Sequence, residues 1–173
     1  MHIKHPLKPI YDENSIVLIL GSFPSVKSRE KQFYYSHPKN RFWNVLAKVF
    51  NENIKDSNDE KVRFLLDNKI ALFDVVKECD IKCSSDSTIK NIIPNDIKSI
   101  INESKIKYIF TVGNKAHQLY QKYSFKDTNI NDIKLPSTSP ANCKKGIEEI
   151  LYDNYKKIKL VIIMNLITKY VQQ

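Results

Sequence analysis

Residues 15–22 read SIVLILGS, and five consecutive apolar side chains at positions 16–20 run directly into Gly21. An apolar run of this length predicts a strand buried on both faces of a parallel sheet. Similar short runs recur in IALFDVV, IKYIFTVG and IKLP, with helical patterns between them. This alternation predicts an α/β fold, a three-layer α/β/α sandwich around a central, mostly parallel four-stranded sheet. The length suits one core, so we expect residues 1–173 to form a single domain.

The segments between these runs carry apolar residues at helical spacing. NRFWNVLAKVF predicts an amphipathic helix after the first strand and its loop. SNDEKVRFLLDNK predicts a second helix with Ser57 as its N-cap. A turn at Pro94 and a helix follow, and another helix starts after Gly113. From about Lys144 the pattern predicts one long helix or two with a break, and residues 151–173 form either a packing helix or a partner surface.

The charge balance of the chain is strongly basic. It has 28 Lys and Arg against 19 Asp and Glu, a formal net charge of +9. This excess favours a polyanionic partner such as nucleic acid, although a generally basic proteome would give the same balance. Five of these cations lie between Lys27 and Arg41, inside the most aromatic stretch of the chain. We therefore expect this stretch to be part of the functional site.

Several classes of protein are disfavoured by the composition. With three glycines the chain can form neither a G-x-G-x-x-G motif nor a P-loop. Cys79, Cys83 and Cys143 form no C-x-x-C pair, so we expect reduced thiols, no metal and no cofactor. The beginning of the chain lacks an apolar signal segment, and the longest apolar run, residues 160–167, is too short to span a bilayer. We expect a cytoplasmic protein without a membrane partner.

Four unusual loops follow the predicted strands: GSFPS, FDVV, VGNKAH and LPSTSPAN. Ligands of open parallel sheets bind outside the carboxyl ends of the strands, so these loops should converge on one site. Aromatic rings there can stack on flat bases, while cations, hydroxyls and N–H groups bind phosphates. The three consecutive aromatics at 33–35 cannot all point into a core, and we expect part of this run to face the site.

Two of these stretches carry a family resemblance. GSFPS, followed by QFYYSHPKNRFWNVL, together with LPSTSPAN resembles the uracil-DNA glycosylase superfamily, most closely its hypoxanthine-DNA glycosylase branch. The resemblance covers residues from about 16 to 142. It implies a monofunctional DNA glycosylase that flips a deaminated base from DNA and hydrolyses its N-glycosidic bond. Hypoxanthine is the preferred base that it implies, with uracil and xanthine as further candidates. Separately from the resemblance, we expect a monomer.

The resemblance also assigns the catalytic position. Related glycosylases carry a catalytic amide in the loop after the first strand, where this chain has Phe23. It therefore implies that Asn40 is the catalytic residue and holds a water molecule or the base. Asn is also a preferred N-cap, so Asn40 could instead only begin the helix. Where many relatives have His-Pro, the second motif here has Leu135 and Pro136.

The remaining site residues are likewise implied by the resemblance. Tyr35 would stack on the base, and Asp74 would accept from a purine N–H, donate if protonated, or merely cap a helix. His37 would support the loop. The base-binding set is Gly21, Ser22, Phe23, Pro24, Tyr34, Tyr35 and Asp74. The DNA-binding set is Ser25, Ser137, Thr138, Ser139, Pro140, Asn142 and Lys144.

Two other classes of function stay open at this point. The first is a nucleic-acid-binding domain that kept the fold without catalysis. The second is a small-molecule hydrolase of the α/β type in which Ser137 or Ser139 is the nucleophile and His117 its base. No acidic partner for such a triad is evident from the sequence.

Overall fold

The computed structural model describes residues 1–81 and 89–172, so Cys83 lies outside the described residues. Strands and helices alternate along most of the chain, as predicted. The strands are β1 (His2–Lys4), β2 (Val17–Gly21), β3 (Ile70–Asp74), β4 (Val76–Asp80), β5 (Lys90–Pro94), β6 (Tyr108–Val112) and β7 (Asp132–Leu135). The helices are α1 (Val26–Glu30), α2 (Phe42–Phe50), α3 (Asn58–Asp67), α4 (Ile97–Asn102), α5 (Gly113–Tyr123), α6 (Phe125–Thr128) and α7 (Ile147–Val171).

The central sheet has four parallel strands in the order β3-β2-β6-β7. All five residues of β2 and of β3 are buried, which explains the continuous apolar runs that predicted them. Gly21 is the register partner of Asp74, and Val112 that of Leu135. The carboxyl ends of the strands therefore meet at one edge, as the sequence predicted.

The helices cover both faces of this sheet. Helix α2 packs on α7, whereas α6 packs on α4 and α5, and α5 contacts β2, β6 and β7. The predicted three-layer α/β/α sandwich is thus confirmed. The predicted cap of α3 is also present, because Ser57 Oγ accepts a hydrogen bond of 3.2 Å from the N–H of Glu60.

A second sheet was not predicted. It is antiparallel, with strand order β1-β4-β5. The run IALFDVV, interpreted as one strand, divides at Val75 between β3 and β4, and the N–H of Val75 donates to the carbonyl of Gly21. Residues 90–94, expected as a turn, form β5. Half-exposed strands such as these carry few apolar residues, so their sequence signal is weak.

The chain from Gly146 onward forms one helix rather than two. Its first half packs on the core through Leu151, Tyr155 and Ile158, which are at most 1% exposed. Further on, apolar side chains are exposed, including Met164 at 63% and Tyr170 at 81%. Residues 151–162 therefore act as a packing helix. Among the described residues, none of the helices has the length and hydropathy needed to cross a membrane.

Candidate active site

A cavity of about 470 Å³ lies at the carboxyl edge of the parallel sheet. Gly21, Asp74 and Val112, the last residues of three neighbouring strands, line it. The loops after β2 and β7 complete its walls. This is the edge that the strand order selected as the ligand site.

Nearly all of the residues assigned to the site line this cavity. The assigned catalytic and base-binding residues there are Gly21, Ser22, Phe23, Pro24, Tyr34, Tyr35, Asn40 and Asp74. The DNA-binding candidates there are Ser25, Ser137, Thr138, Ser139 and Asn142. Two further candidates, the half-buried Pro140 and the exposed Lys144, lie on the same loop outside the lining. The fold therefore joins two segments that are about a hundred residues apart in the chain.

Three lining residues were not anticipated: Ser28, Val112 and Ala141. Ser28 is 2% exposed and belongs to the start of α1. Ser25 caps this helix, because its Oγ accepts a hydrogen bond of 3.2 Å from the N–H of Ser28 and donates one of 3.1 Å to Ser28 Oγ. The spacing Ser-x-x-Ser after Pro24 was the available signal for this inward position.

Tyr35 forms an aromatic wall of the cavity. Its backbone is in the left-handed region, with φ of 52°. Its ring stacks on that of Phe42, with 3.8 Å between the centroids and 12° between the planes. Phe33 instead packs in the core and stacks on Trp43 at 5.8 Å. As expected, the three consecutive aromatics divide between core and site.

Tyr34 is a buried wall residue whose hydroxyl is already bonded. Its O–H donates to the carbonyl of Lys8 over 2.8 Å. Burial, and secondarily the negative charge of Asp74, raise the pKa of Tyr34 far above its ordinary value. The phenol therefore stays protonated and contributes shape rather than acid–base chemistry.

Asn40 lines the cavity and lies two residues before α2, whose N-cap is Arg41 rather than Asn40. Its Oδ1 accepts a hydrogen bond of 3.0 Å from the N–H of Phe42, while its own N–H donates to the carbonyl of His37 over 2.9 Å. The N–H of Lys39 donates to Nδ1 of His37 over 3.1 Å, so His37 supports this turn. A carbonyl oxygen has two lone pairs, and Oδ1 can accept a second hydrogen bond.

The loop after β7 is held by its own polar side chains. Oγ of Ser137 accepts from the N–H of Ser139, and Oγ of Ser139 accepts from the N–H of Ala141, each over 3.2 Å. Nδ2 of Asn142 donates to the carbonyl of Ser137 over 2.9 Å. Each serine hydroxyl still has its own proton to donate, and these protons are suited to phosphate oxygens.

Arg41 connects this loop to the start of α2. Its backbone N–H donates to the carbonyl of Thr138 over 3.1 Å. Its guanidinium donates to the carbonyls of Ser139 at 3.2 Å and Asn142 at 3.5 Å. Thr138 is fully buried, and no described residue bonds its Oγ1. Arg41 therefore helps to hold the site together through its hydrogen bonds to this loop.

Asp74 is paired with His5, a residue that the sequence analysis did not single out. Nε2 of His5 lies 2.8 Å from Oδ2 of Asp74, and the two side chains are 2% and 5% exposed. Asp74 ends a strand and caps no helix. His5 stands 69 residues away in a short segment without a clear pattern, so only its proximity in the fold could have identified it.

The arrangement does not support a serine hydrolase. Nδ1 of His117 lies 2.8 Å from Oδ2 of the buried Asp132. Within the described part of the chain, neither Ser137 nor Ser139 is hydrogen-bonded to a histidine. In the same ranges, no group of three or more His, Cys, Asp or Glu side chains could hold a metal ion.

These features define an α/β sandwich protein with an aromatic- and hydroxyl-lined cavity at the carboxyl edge of its parallel sheet. The sequence model of the uracil DNA glycosylase superfamily matches residues 9–159. The chain belongs to the uracil DNA glycosylase superfamily. The match extends beyond residues 16–142, over which the resemblance was recognised.

Individual relatives agree with this membership. A protein from Methanosarcina acetivorans named hypoxanthine DNA glycosylase is 35% identical over 142 residues, which is 81% of this chain and 89% of the relative. One of the same name from Methanosarcina barkeri is 38% identical over 89 residues, 51% of this chain and 56% of the relative. A solution NMR structure described as a candidate uracil DNA glycosylase from Methanosarcina acetivorans matches with a TM-score of 0.76 at 32% identity, covering 92% of this chain and 99% of that one.

Proposed function

We propose that the protein is a monofunctional DNA glycosylase that releases hypoxanthine from DNA, with uracil and xanthine as further candidate bases. The observation that carries the proposal is a single cavity of about 470 Å³ lined by both motif segments. Its volume lies in the usual range of small-molecule sites, roughly 300–1,000 Å³. The names of the relatives at 35% and 38% identity support the same activity.

The cavity is suited to a base that has left the DNA stack. A glycosidic bond inside a duplex is inaccessible, so the nucleotide must rotate out before it can be hydrolysed. Tyr35, backed by Phe42, offers a flat ring on which any base can stack. Stacking of this kind contributes about 1–3 kcal/mol per base, which offsets part of the cost of unstacking.

Hydrolysis of the bond requires little acid–base strength from the protein. Water oxygen bonds to the sugar carbon as the carbon–nitrogen bond breaks, and the bonding electron pair leaves with the base. Positive charge develops on the sugar and negative charge on the base, and positioned dipoles can stabilise both. In this proposal Asn40 holds the water through the second lone pair of Oδ1. The proton released by the water balances the charge of the departing base.

The second loop would hold the DNA backbone. Ser137 and Ser139 each keep a hydroxyl proton after accepting a backbone N–H, and both line the cavity. Lys144 is exposed on the same loop and supplies a cation for a phosphate. Contacts of this kind position the duplex without reading its sequence.

The preference for hypoxanthine over uracil follows from two absent groups. Phe23 replaces the amide that related enzymes use on water, and Leu135 stands where many relatives carry a histidine. A site without these groups is better matched to a base that departs more easily. Hypoxanthine is a purine that can be protonated at N7, which makes it such a leaving group.

The test measures base release from defined DNA. Purified protein is incubated with oligonucleotides that carry hypoxanthine, uracil or xanthine, and abasic sites are then cleaved with alkali. We expect the fastest release from hypoxanthine and none from an undamaged duplex of the same sequence. Efficient release of uracil with hypoxanthine untouched would overturn the substrate preference. Binding without release of any base would instead favour a non-catalytic nucleic-acid-binding domain.

We also infer that the protein acts on DNA as a monomer in the cytoplasm. The support for the monomer is that two segments of one chain are sufficient to line a cavity of about 470 Å³. Sedimentation of the protein with and without a short duplex tests this inference. A site that needed two copies would give activity that rises with the square of the protein concentration.

A further inference from the structure

The pair formed by His5 and Asp74 lies directly behind the cavity wall. Asp74 lines the cavity and His5 does not, although their side chains approach to 2.8 Å. Both are almost completely buried. A buried charged or polar group is costly unless it is hydrogen-bonded, so each member of the pair depends on the other.

The imidazole of His5 has a single orientation. Three rings surround it, with centroid distances of 5.2 Å to Phe73, 5.7 Å to Phe23 and 6.2 Å to Tyr34. On its far side, Nδ1 lies 3.1 Å from the backbone nitrogen and 3.0 Å from the carbonyl oxygen of Leu7. Packing and hydrogen bonds therefore direct Nε2 at Asp74 and nowhere else.

One proton lies between Nε2 of His5 and Oδ2 of Asp74. Two lone pairs would repel each other at 2.8 Å, so a hydrogen bond must occupy this contact. The backbone of Leu7 is compatible with two forms of the imidazole. The N–H of Leu7 can donate to Nδ1 of a neutral ring, and Nδ1–H of an imidazolium can donate to the carbonyl of Leu7. In both forms Nε2 carries a proton. Oδ2 is thus occupied, and Oδ1 presents only lone pairs.

Oδ1 of Asp74 faces the end of strand β2. A Cβ atom added to Gly21 would lie only 2.2 Å from Oδ1, which shows that the oxygen sits directly over this glycine. Gly21 and Asp74 are register partners, and both line the cavity. With Oδ2 bonded to His5, Oδ1 is the carboxylate oxygen left to accept a hydrogen bond at the cavity wall.

A hydrogen-bond acceptor at this position distinguishes a deaminated base from the adenine or cytosine from which it was formed. Deamination of adenine replaces the lone pair on N1 by an N–H, and deamination of cytosine does the same at N3. We propose that His5 is a positioning residue that fixes Asp74 as a hydrogen-bond acceptor. Through this pair, the cavity selects a base with a ring N–H created by deamination over adenine or cytosine, which carry a lone pair at that position. The proposal rests on the proposed function, since it requires a flipped base in the cavity.

The test compares the affinity of the protein for two uncleavable duplexes. Each carries one 2′-fluorinated nucleotide, inosine or adenosine, opposite an abasic-site analogue, so that base pairing does not differ. Fluorine disfavours positive charge on the sugar and keeps the base attached. We expect wild-type protein to bind the inosine duplex at least about tenfold more tightly, the effect of one hydrogen bond to a charged group.

Three variants separate the roles of the pair. In Asp74→Asn, Nε2–H of His5 attracts the amide oxygen and turns the NH2 group toward the cavity, so the preference should shift at least about tenfold toward adenosine. His5→Leu should lower the preference for inosine by a similar factor. His5→Gln should keep it, because the Gln amide can also donate to Oδ2.

His2→Leu is the matched control. His2 lies on the same segment, is 53% exposed and has Nδ1 at 3.1 Å from Oδ1 of Asp80, away from the cavity lining. It should keep the preference. A merely structural role of His5 would lower the melting temperature and weaken binding of both duplexes equally.

The outcomes separate this proposal from the proposed function. The inference about His5 and Asp74 is overturned if folded His5→Leu protein keeps the wild-type preference. It is also overturned if the wild type binds both duplexes with equal affinity. If His5→Leu does not fold, the Asp74→Asn variant tests the inference. An unchanged preference in that variant overturns the inference. If the wild-type protein releases the base, the glycosylase activity stands whether or not the inference about His5 and Asp74 is overturned. A preference without base release removes the activity and keeps the inference.

Discussion

Asn40 joins backbone structure and proposed chemistry in one side chain. Its Oδ1 accepts the N–H of Phe42 at the start of α2, and the residue lines the cavity. A neutral amide does not titrate, so it can hold a water molecule but cannot remove its proton. The helix start and the water position then depend on the same oxygen.

Asn40→Ala should therefore separate stability from activity. We expect base release to fall at least about 100-fold, as for removal of a positioned polar group from an active site, while DNA binding persists. The free energy of unfolding should fall by only about 1 kcal/mol, the usual net contribution of one hydrogen bond. Single-turnover release and urea denaturation measure the two effects.

Ser57→Ala provides the control for this prediction. It removes the cap of α3, whose Oγ bonds the N–H of Glu60 at 3.2 Å, outside the cavity lining. A similar loss of stability with unchanged release is expected. Unchanged release in Asn40→Ala would show that Asn40 only shapes the turn before α2.

Gly21 allows the close approach of Asp74 to strand β2. In Gly21→Ala the new Cβ would lie 2.2 Å from Oδ1 of Asp74 and 3.1 Å from the hydroxyl of Tyr35. The carboxylate must move, and we expect release of hypoxanthine to fall at least about tenfold, because displacements of this size are costly in active sites. The same assay checks this prediction.

Gly146→Ala is the corresponding control. Gly146 has φ of 71° and no atom within 4 Å of an added Cβ, so the variant loses stability only through backbone strain. Base release should be unchanged. Equal loss of activity in both variants would mean that Gly21→Ala acts through stability alone.

At the scale of elements, the site depends on the contact between α2 and the loop after β7. Arg41 supplies it through three hydrogen bonds to the carbonyls of Thr138, Ser139 and Asn142. Tyr155 of α7 adds a hydrogen bond of 2.9 Å from its hydroxyl to the carbonyl of Pro136. The loop is thus held at both ends by elements that belong to the core.

Arg41→Lys tests this connection. The ammonium keeps the charge but lacks the rigid, planar guanidinium whose Nη1 donates to two carbonyls, so the loop should loosen. We expect the Kd for DNA to rise by about three- to tenfold, with an unchanged dependence on salt because the number of charges is the same. Arg63→Lys, on the exposed face of α3, should leave both quantities unchanged. A steeper or shallower salt dependence in Arg41→Lys would show that Arg41 contacts phosphate directly.

At the scale of the whole molecule, the net charge of +9 creates an attractive field for DNA. Exposed lysines lie on the segments that line the cavity, at Lys27 in α1 and at Lys39, Lys144 and Lys145 in the loops. Other exposed lysines lie far from it. Lys169 is near the end of α7, roughly 33 Å along the helix axis from its start at a rise of 1.5 Å per residue.

Lys144→Ala and Lys169→Ala form a matched pair in this field. Each removes one exposed charge from the chain. If Lys144 contacts a phosphate, its loss should reduce the slope of log K against log salt by about 1, whereas loss of Lys169 should leave the slope unchanged. Fluorescence titration over a series of salt concentrations measures this slope. Equal changes in both variants would indicate a diffuse electrostatic effect.

The sequence by itself determined the parallel sheet, its flanking helices and the edge at which the site lies. A continuous apolar run as short as residues 16–20 fits a strand buried on both faces, and the carboxyl ends of parallel strands lie at one edge. The motif around Asn40 likewise contains its own helix start. These features are local, so they can be recognised before the chain is folded.

Only the tertiary structure decided the antiparallel sheet, the role of Arg41 and the partner of Asp74. Strands β4 and β5 are short and half-exposed, so pairing rather than side-chain pattern defines them. His5 meets Asp74 across 69 positions because β1 pairs with β4, which follows β3. A hydrogen bond between residues so far apart in the chain leaves no periodic pattern and no motif in the sequence. It depends on the folded distance alone, which is the basis for the proposed acceptor role of Asp74.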